Sequence, residues 1–239
     1  MNPNSNLAEL DSIKESIRNN LIKSLIIYSK FKGFYEEFSK RLKDYGIKLN
    51  GVSTYNAFLR IYNNTNNTNH NVLEWINQIK PYLRDNENLF IQFLKATGIR
   101  KDEGIESFNL IIQLAKLNRL SEYYNLELNC LQHFKYSKLF IRKTKNLYIS
   151  FIPESLVSAI ANSESVSYSA IRKRLERKGI HLRINELRDY YATLLISNGF
   201  NELEVNLLQG RISGILFKHY WSPKLSELRD RIFKILDSI

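Results

Sequence analysis

Residues 134–153 read FKYSKLFIRKTKNLYISFIP. Aromatic and β-branched residues flank the polar tetrad Lys143, Thr144, Lys145 and Asn146, and Pro153 closes the run. That pattern predicts a β-hairpin over 134–152 with the tetrad at its turn. On both sides the period changes to that of helices. Upstream, apolar spacing predicts helices over 72–83 and 87–96, a break at Gly98, and a further helix over 101–116 or a little beyond. Downstream it predicts helices over 154–162, 169–178, 186–198, 202–209 and 225–236. The expected class is α+β, mostly α, with one small antiparallel sheet. No internal repeat is visible.

Further out, NNTNNTNHN at 63–71 is the one low-complexity stretch and reads as an Asn-rich linker. Before it, 7–31, 34–45 and 53–62 read as three helices, punctuated by Gly33, Gly46 and Gly51. The expected organisation is a small helical region over 1–62, the linker, and a main domain over 72–239. The first region is small for a core of its own.

The 239 residues are 44% hydrophobic, an ordinary value for a chain with a packed core. No apolar run approaches the roughly 20 residues of a membrane span. Asn, Ser, Glu and Asp fill the first dozen positions where a signal peptide would be apolar. A cytoplasmic location without a membrane partner is therefore expected. Cys130 is the single cysteine, so no internal disulfide is possible and a cysteine-based zinc site is not expected. The histidines at 70, 133, 181 and 219 show no metal-ligand spacing, and neither a metal nor another cofactor is expected. The net charge of +11 and pI near 9.6 draw the chain to polyanions, with nucleic acid first and a membrane surface second.

Two arginines attract attention. Thr97 is placed to cap a following helix, which puts Arg100 in its first turn. Asn185 is a good N-cap and Gly199 a good stop, which puts Arg188 in the first turn of the helix between them. A cation at a helix N-terminus is locally unfavourable, because the helix already carries partial positive charge there. Two such arginines point to an anion as the intended occupant, held by free N–H groups and guanidinium forks. A surface salt bridge is the plain alternative for either one alone.

Taken in order, the segments TGIR (97–100) with Glu103, LRDYYAT (187–193), LLQGR (207–211) and KHY (218–220) resemble the conserved boxes of the tyrosine recombinase family. Arg188 and Tyr220 stand 32 positions apart, within the family's range. Lys145 lies in the hairpin turn eight residues before Pro153, where the family places its catalytic lysine, and on that spacing it is preferred to Lys143. NLFIQFL (88–94), RKTKNLYIS (142–150) and SYSAIRKRL (167–175) are similar to integrases of archaeal viruses and plasmids. The likeness runs from about residue 20 to residue 222.

This resemblance implies a recombinase catalytic fold over 72–239 and the remnant of a core-binding domain over 1–62. It implies a site-specific recombinase that inserts viral or plasmid DNA into a host chromosome through a 3′-phosphotyrosine. Tyr220 would be the nucleophile, since a phenol conserves the bond energy in a covalent link. Arg100, Arg188 and Arg211 would stabilise charge growing on the attacked phosphate, for which a guanidinium fork is suited. Lys145 would be the general acid for the departing 5′ oxygen. Glu103 would buttress the site, with Asn185 beside it. Family members often carry histidine or lysine where this chain has Asn185, and histidine where it has Arg211. Neither can shuttle a proton, so the general base stays unassigned. The rivals are a degenerate integrase fragment that only binds DNA, a relaxing topoisomerase of the same chemistry, and a helical interaction protein.

Duplex DNA is the expected partner. Arg172, Lys173, Arg174, Arg177 and Lys178 crowd one helix, and Arg142 and Lys143 flank the hairpin turn; all seven read as phosphate contacts, with a solvated basic face as the alternative. Leu225, Leu228, Ile232, Leu236 and Ile239 make the last helix amphipathic. It either packs on its own domain or, as the resemblance implies, links protomers of a homo-tetramer on DNA.

Overall fold

The computed structural model describes residues 13, 15–47, 59, 68–143, 145–212 and 216–238. The chain divides into two compact units, Met1–Asn66 and Asn67–Ile239. The first holds α1 (Glu15–Lys32) and α2 (Tyr35–Asp44). Ile22 and Leu42 are buried, with Ile26 and Phe38 packed against them. Of the third helix expected over 53–62, only Leu59 lies within the described residues, and it is helical.

The second unit is a set of helices around a small sheet. Its helices are α3 (Thr68–Ile79), α4 (Asp85–Thr97), α5 (Lys101–Lys116), α6 (Ser137–Phe140), α7 (Glu154–Ala161), α8 (Tyr168–Glu176), α9 (Ile184–Ser197), α10 (Glu202–Leu208) and α11 (Leu225–Leu236). The strands β1 (Tyr124–Asn125), β2 (Cys130–Leu131) and β3 (Ser150–Phe151) lie antiparallel in that order. The class is thus mostly helical with a three-stranded antiparallel sheet. No helix among the described residues is long and apolar enough to cross a membrane. No group of three or more His, Cys, Asp or Glu that could hold a metal occurs among them either.

Helix α3 begins at Thr68, so the end of the expected linker is helical instead. The expected hairpin over 134–152 is corrected more deeply. Its first arm is a 3-10 turn at His133–Tyr136 followed by α6, and the hairpin shrinks to one bridge between Ile141 and Asn146. β3 pairs instead with β2, Cys130 opposite Phe151. The reason is burial at helical spacing. His133, Tyr136 and Phe140 gather on the buried ring of Tyr123, with centroids 5.5, 5.3 and 6.1 Å away. Alternation of aromatic and β-branched residues concealed this second period.

Two cores result. The larger takes α4, α5, α7 and α8 around Phe90, Phe108, Ile111 and Leu175. The smaller seats α11 within its own unit: Leu228, Ile232 and Ile235 bury with Leu195, Phe200 and Val205. Asn201 caps α10 by accepting the Glu204 N–H at 2.9 Å, while Glu204 accepts the Asn201 N–H at 2.8 Å. The same Glu204 carboxylate pairs with Arg231 of α11 at 2.6 Å.

A polar chain runs through the larger core. Ser107 and Tyr123 hydroxyls lie 2.8 Å apart, Tyr123 meets His133 Nδ1 at 2.6 Å, and His133 Nε2 meets Ser150 at 2.9 Å. His133 is fully buried, and burial drives its pKa down to about 3. It is therefore neutral in the fold, one ring nitrogen donating and the other accepting. The unfolded chain protonates it near pH 6.5. Its stabilisation is thus complete above that pH and is lost as pH falls from 6.5 toward 3, by about 1.4 kcal/mol per unit. Between pH 7 and 5 the chain is expected to lose about 2 kcal/mol more stability than His133→Gln. Urea midpoints that shift equally for the two proteins between those pH values would refute this.

Candidate functional site

Three turns and one helix converge. Helix α4 ends at Gly98, left-handed at φ 60, whose N–H donates to Leu94 O at 2.9 Å. Thr97 does not cap α5: it is the last residue of α4, and its hydroxyl donates back to Phe93 O at 2.7 Å. Arg100 itself takes the N-cap position of α5, one place ahead of the expected first turn. Its N–H donates to Glu103 Oε2 at 3.3 Å, and its Nη1 donates to Glu103 Oε1 at 2.7 Å. Nη1 also donates to Asn146 O at 3.3 Å, across from α5.

Arg188 needs a larger correction. Helix α9 starts at Ile184 with Arg183 at the cap position, so Asn185 is an exposed helical residue and not the cap. Buried Ile184, Leu187, Tyr191 and Leu195 repeat at helical spacing and draw the helix further back than its polar signal indicates. Arg188 therefore sits beyond the first turn on the buried face, and the helix-terminus argument does not apply to it. Its guanidinium instead donates to two backbone carbonyls, Nη1 to Gly98 O at 3.0 Å and Nη2 to Gln209 O at 2.8 Å. Gln209, itself buried, returns a bond from Nε2 to Arg188 O at 3.3 Å. Arg183 and Glu186 pair beside it at the helix start.

The closeness rests on two glycines. A Cβ on Gly98 would lie 2.2 Å from the Tyr191 ring. A Cβ on Gly210, at φ 68, would lie 1.8 Å from Asn146 O. Backbone thus meets backbone where Arg211 begins. Arg211 is exposed, its N–H donating to Asn206 O at 2.7 Å.

The electrostatics reflect this packing. Arg188 is 9% exposed. Burial, and next the charges of Arg100 and Arg211, bring its guanidinium down to about 10, while Glu103 and Asp189 act against them. It remains protonated at neutral pH. Glu103 is the buried carboxylate facing this cluster, and Asp189 is exposed. Only Arg100 pairs with Glu103, while the charges of Arg100 and Arg211 both act against that of Arg188, so an anion placed among them would be stabilised.

The other expected residues are placed differently. Tyr220 ends a π-helical turn at Leu216–Tyr220 and is 77% exposed. Its hydroxyl makes no hydrogen bond or ion pair among the described residues, and none joins it to the arginines. Lys143 and Lys145 are both exposed beside the Ile141–Asn146 bridge, and Arg142 is exposed with its N–H on Asn146 Oδ1 at 2.9 Å. On α8, Arg174 turns inward: its Nε lies 2.9 Å from buried Glu87, off the line of a hydrogen bond. Arg172 pairs with Glu176 at 2.6 Å, and Lys178 sits over the Tyr82 ring. Lys173 and Arg177 are exposed. Arg174 thus supports the fold more than an outer face. Gln209, Asn146 and the tight approach at Gly210 escaped the sequence reading. Asn146 stood in the sequence only as a member of the turn tetrad, and Gln209 only as a member of LLQGR.

No family model, no curated protein and no solved structure matches this chain.

Proposed function

We propose that this chain is a metal-independent DNA strand transferase of the tyrosine recombinase kind, acting on a site in duplex DNA. The observation that supports the proposal is the meeting of Arg100 and Arg188, Arg100 held by Glu103 and Asn146 and Arg188 by the carbonyls of Gly98 and Gln209, the latter two residues before Arg211. A phosphodiester supplies the missing negative charge, and that charge grows in the transition state, where fixed guanidinium groups count most. The Tyr220 oxygen attacks phosphorus, its proton passing to water. The bond to the 5′ oxygen breaks and that oxygen takes a proton from Lys145. A 3′-phosphotyrosine remains, and attack by a 5′-hydroxyl reverses the steps without an added energy source. Lys173, Arg177, Arg142 and Lys143, all exposed, would meet flanking phosphates and make binding fall steeply with salt.

One observation favours a second reading, a protein that holds DNA without cutting it. Tyr220 is 77% exposed, and among the described residues no hydrogen bond joins its hydroxyl to the arginines. A suicide-substrate assay separates the two. Nicked duplexes, drawn from sequences the protein selects out of a random pool, are mixed with it in EDTA. A denaturation-resistant protein–DNA adduct is expected. Salt-sensitive binding without any adduct would replace the recombinase reading with the second one.

A further inference from the structure

We infer that Asn146 is a positioning residue that sets Lys145 against the arginine cluster, an inference that rests on the recombinase reading. Lys145 is exposed, and no side-chain partner fixes it among the described residues. Its place is set by its neighbour. Asn146 closes the turn from inside, its Oδ1 accepting the Arg142 N–H at 2.9 Å, and it pairs with Ile141 as an isolated bridge. Its carbonyl faces the site: it accepts Arg100 Nη1 at 3.3 Å and lies where Gly210 admits no Cβ. The next residue, Leu147, is fully buried and donates its N–H to Phe140 O at 3.0 Å. One residue therefore ties the lysine-bearing turn to both Arg100 and the Gly210-Arg211 turn.

The chemistry of the side chain is specific. An amide or carboxylate oxygen on a single methylene reaches back to the N–H four residues earlier. Aspartate keeps that acceptor. Alanine lacks it, and glutamine carries it one methylene too far. The backbone carbonyl on Arg100 survives every substitution, so the side chain governs the turn and not the guanidinium.

The test compares cleavage of an ordinary phosphodiester with one whose 5′ bridging oxygen is replaced by sulfur. A thiolate departs without a proton, so it needs no general acid. Asn146→Ala and Asn146→Gln are each expected to slow adduct formation on the oxygen substrate by roughly 10- to 100-fold, part of what a general acid supplies. Both are expected to recover to within a few-fold of the unaltered chain on the sulfur substrate. Asn146→Asp keeps the acceptor and is expected to show the unaltered ratio of rates between the two substrates, its added charge acting alike on both. Adding Asn146→Ala to Lys145→Ala should cost nothing further. Equal loss on the two substrates, or additive losses in the double variant, would overturn the inference while leaving the recombinase reading intact. Failure of the unaltered chain on both substrates would overturn that reading itself, and this inference with it.

Discussion

Tyr220→Phe is expected to abolish covalent attachment to DNA, taking the adduct below detection in an assay spanning about four orders of magnitude, the scale on which loss of a covalent nucleophile acts. The substitution removes one oxygen and nothing else. Tyr220 is 77% exposed, and its ring has a loose edge contact with His219, centroids 6.2 Å apart, that phenylalanine retains. Stability should therefore stay within about 0.5 kcal/mol of the unaltered chain. DNA affinity and its salt slope should also be unchanged, because a neutral phenol releases no counterions. The comparison needs three readouts: adduct yield, urea midpoint and binding at two salt concentrations. An adduct that survives would assign the chemistry to another nucleophile. Loss of binding alongside loss of adduct would mean that the phenol holds DNA and would leave its chemistry undemonstrated.

The second large effect is expected at Gly210. Gly210→Ala imposes two separate costs. The first is conformational, since φ 68 disfavours any residue with a Cβ by roughly 1 kcal/mol. The second is steric: the new Cβ would sit 1.8 Å from Asn146 O and 2.6 Å from Asn146 C, and backbone cannot swing aside as a side-chain tip can. Together they are expected to destabilise the chain by about 3 kcal/mol. Any relief must separate the 209–211 turn from Asn146, which strains both the Arg188–Gln209 bonds and the Arg100–Asn146 bond. Adduct formation should fall with stability. Gly199→Ala is the control: φ there is 80, but nothing lies within 4 Å of its Cβ. It should show the conformational cost alone, about 1 kcal/mol. Equal urea midpoints for the two variants would show that the close approach at Gly210 contributes nothing.

Local pattern was informative where local rules decide. The spacing of apolar residues predicts α11 at Leu225–Leu236 with the bounds the structure has, and α5 from Lys101 to Lys116 or a little beyond, where the structure ends it at Lys116. Gly98 stops α4 because its left-handed conformation is a property of one residue. The hairpin at 134–152 failed because two periods overlap there. The pull of Tyr123 on His133, Tyr136 and Phe140 comes from outside the segment. Cap positions failed for a related reason. Asn185 has the better capping side chain, yet burial of Ile184 extends α9 past it.

For the site the division is sharper. By itself the sequence determined the +11 charge, the helical class with its small sheet, and the chain order of Arg100, Lys145, Arg188, Arg211 and Tyr220. These are sums over residues or readings of neighbours. Only the tertiary structure decided that Arg188 is buried, that Gly98 and Gln209 carbonyls hold it, and that Asn146 meets Arg100 and Gly210. Those bonds join residues 90, 21 and 46 positions apart. No local periodicity encodes such pairings. They exist because Gly98 lets the Tyr191 ring, and Gly210 the Asn146 backbone, approach once the cores on either side have closed.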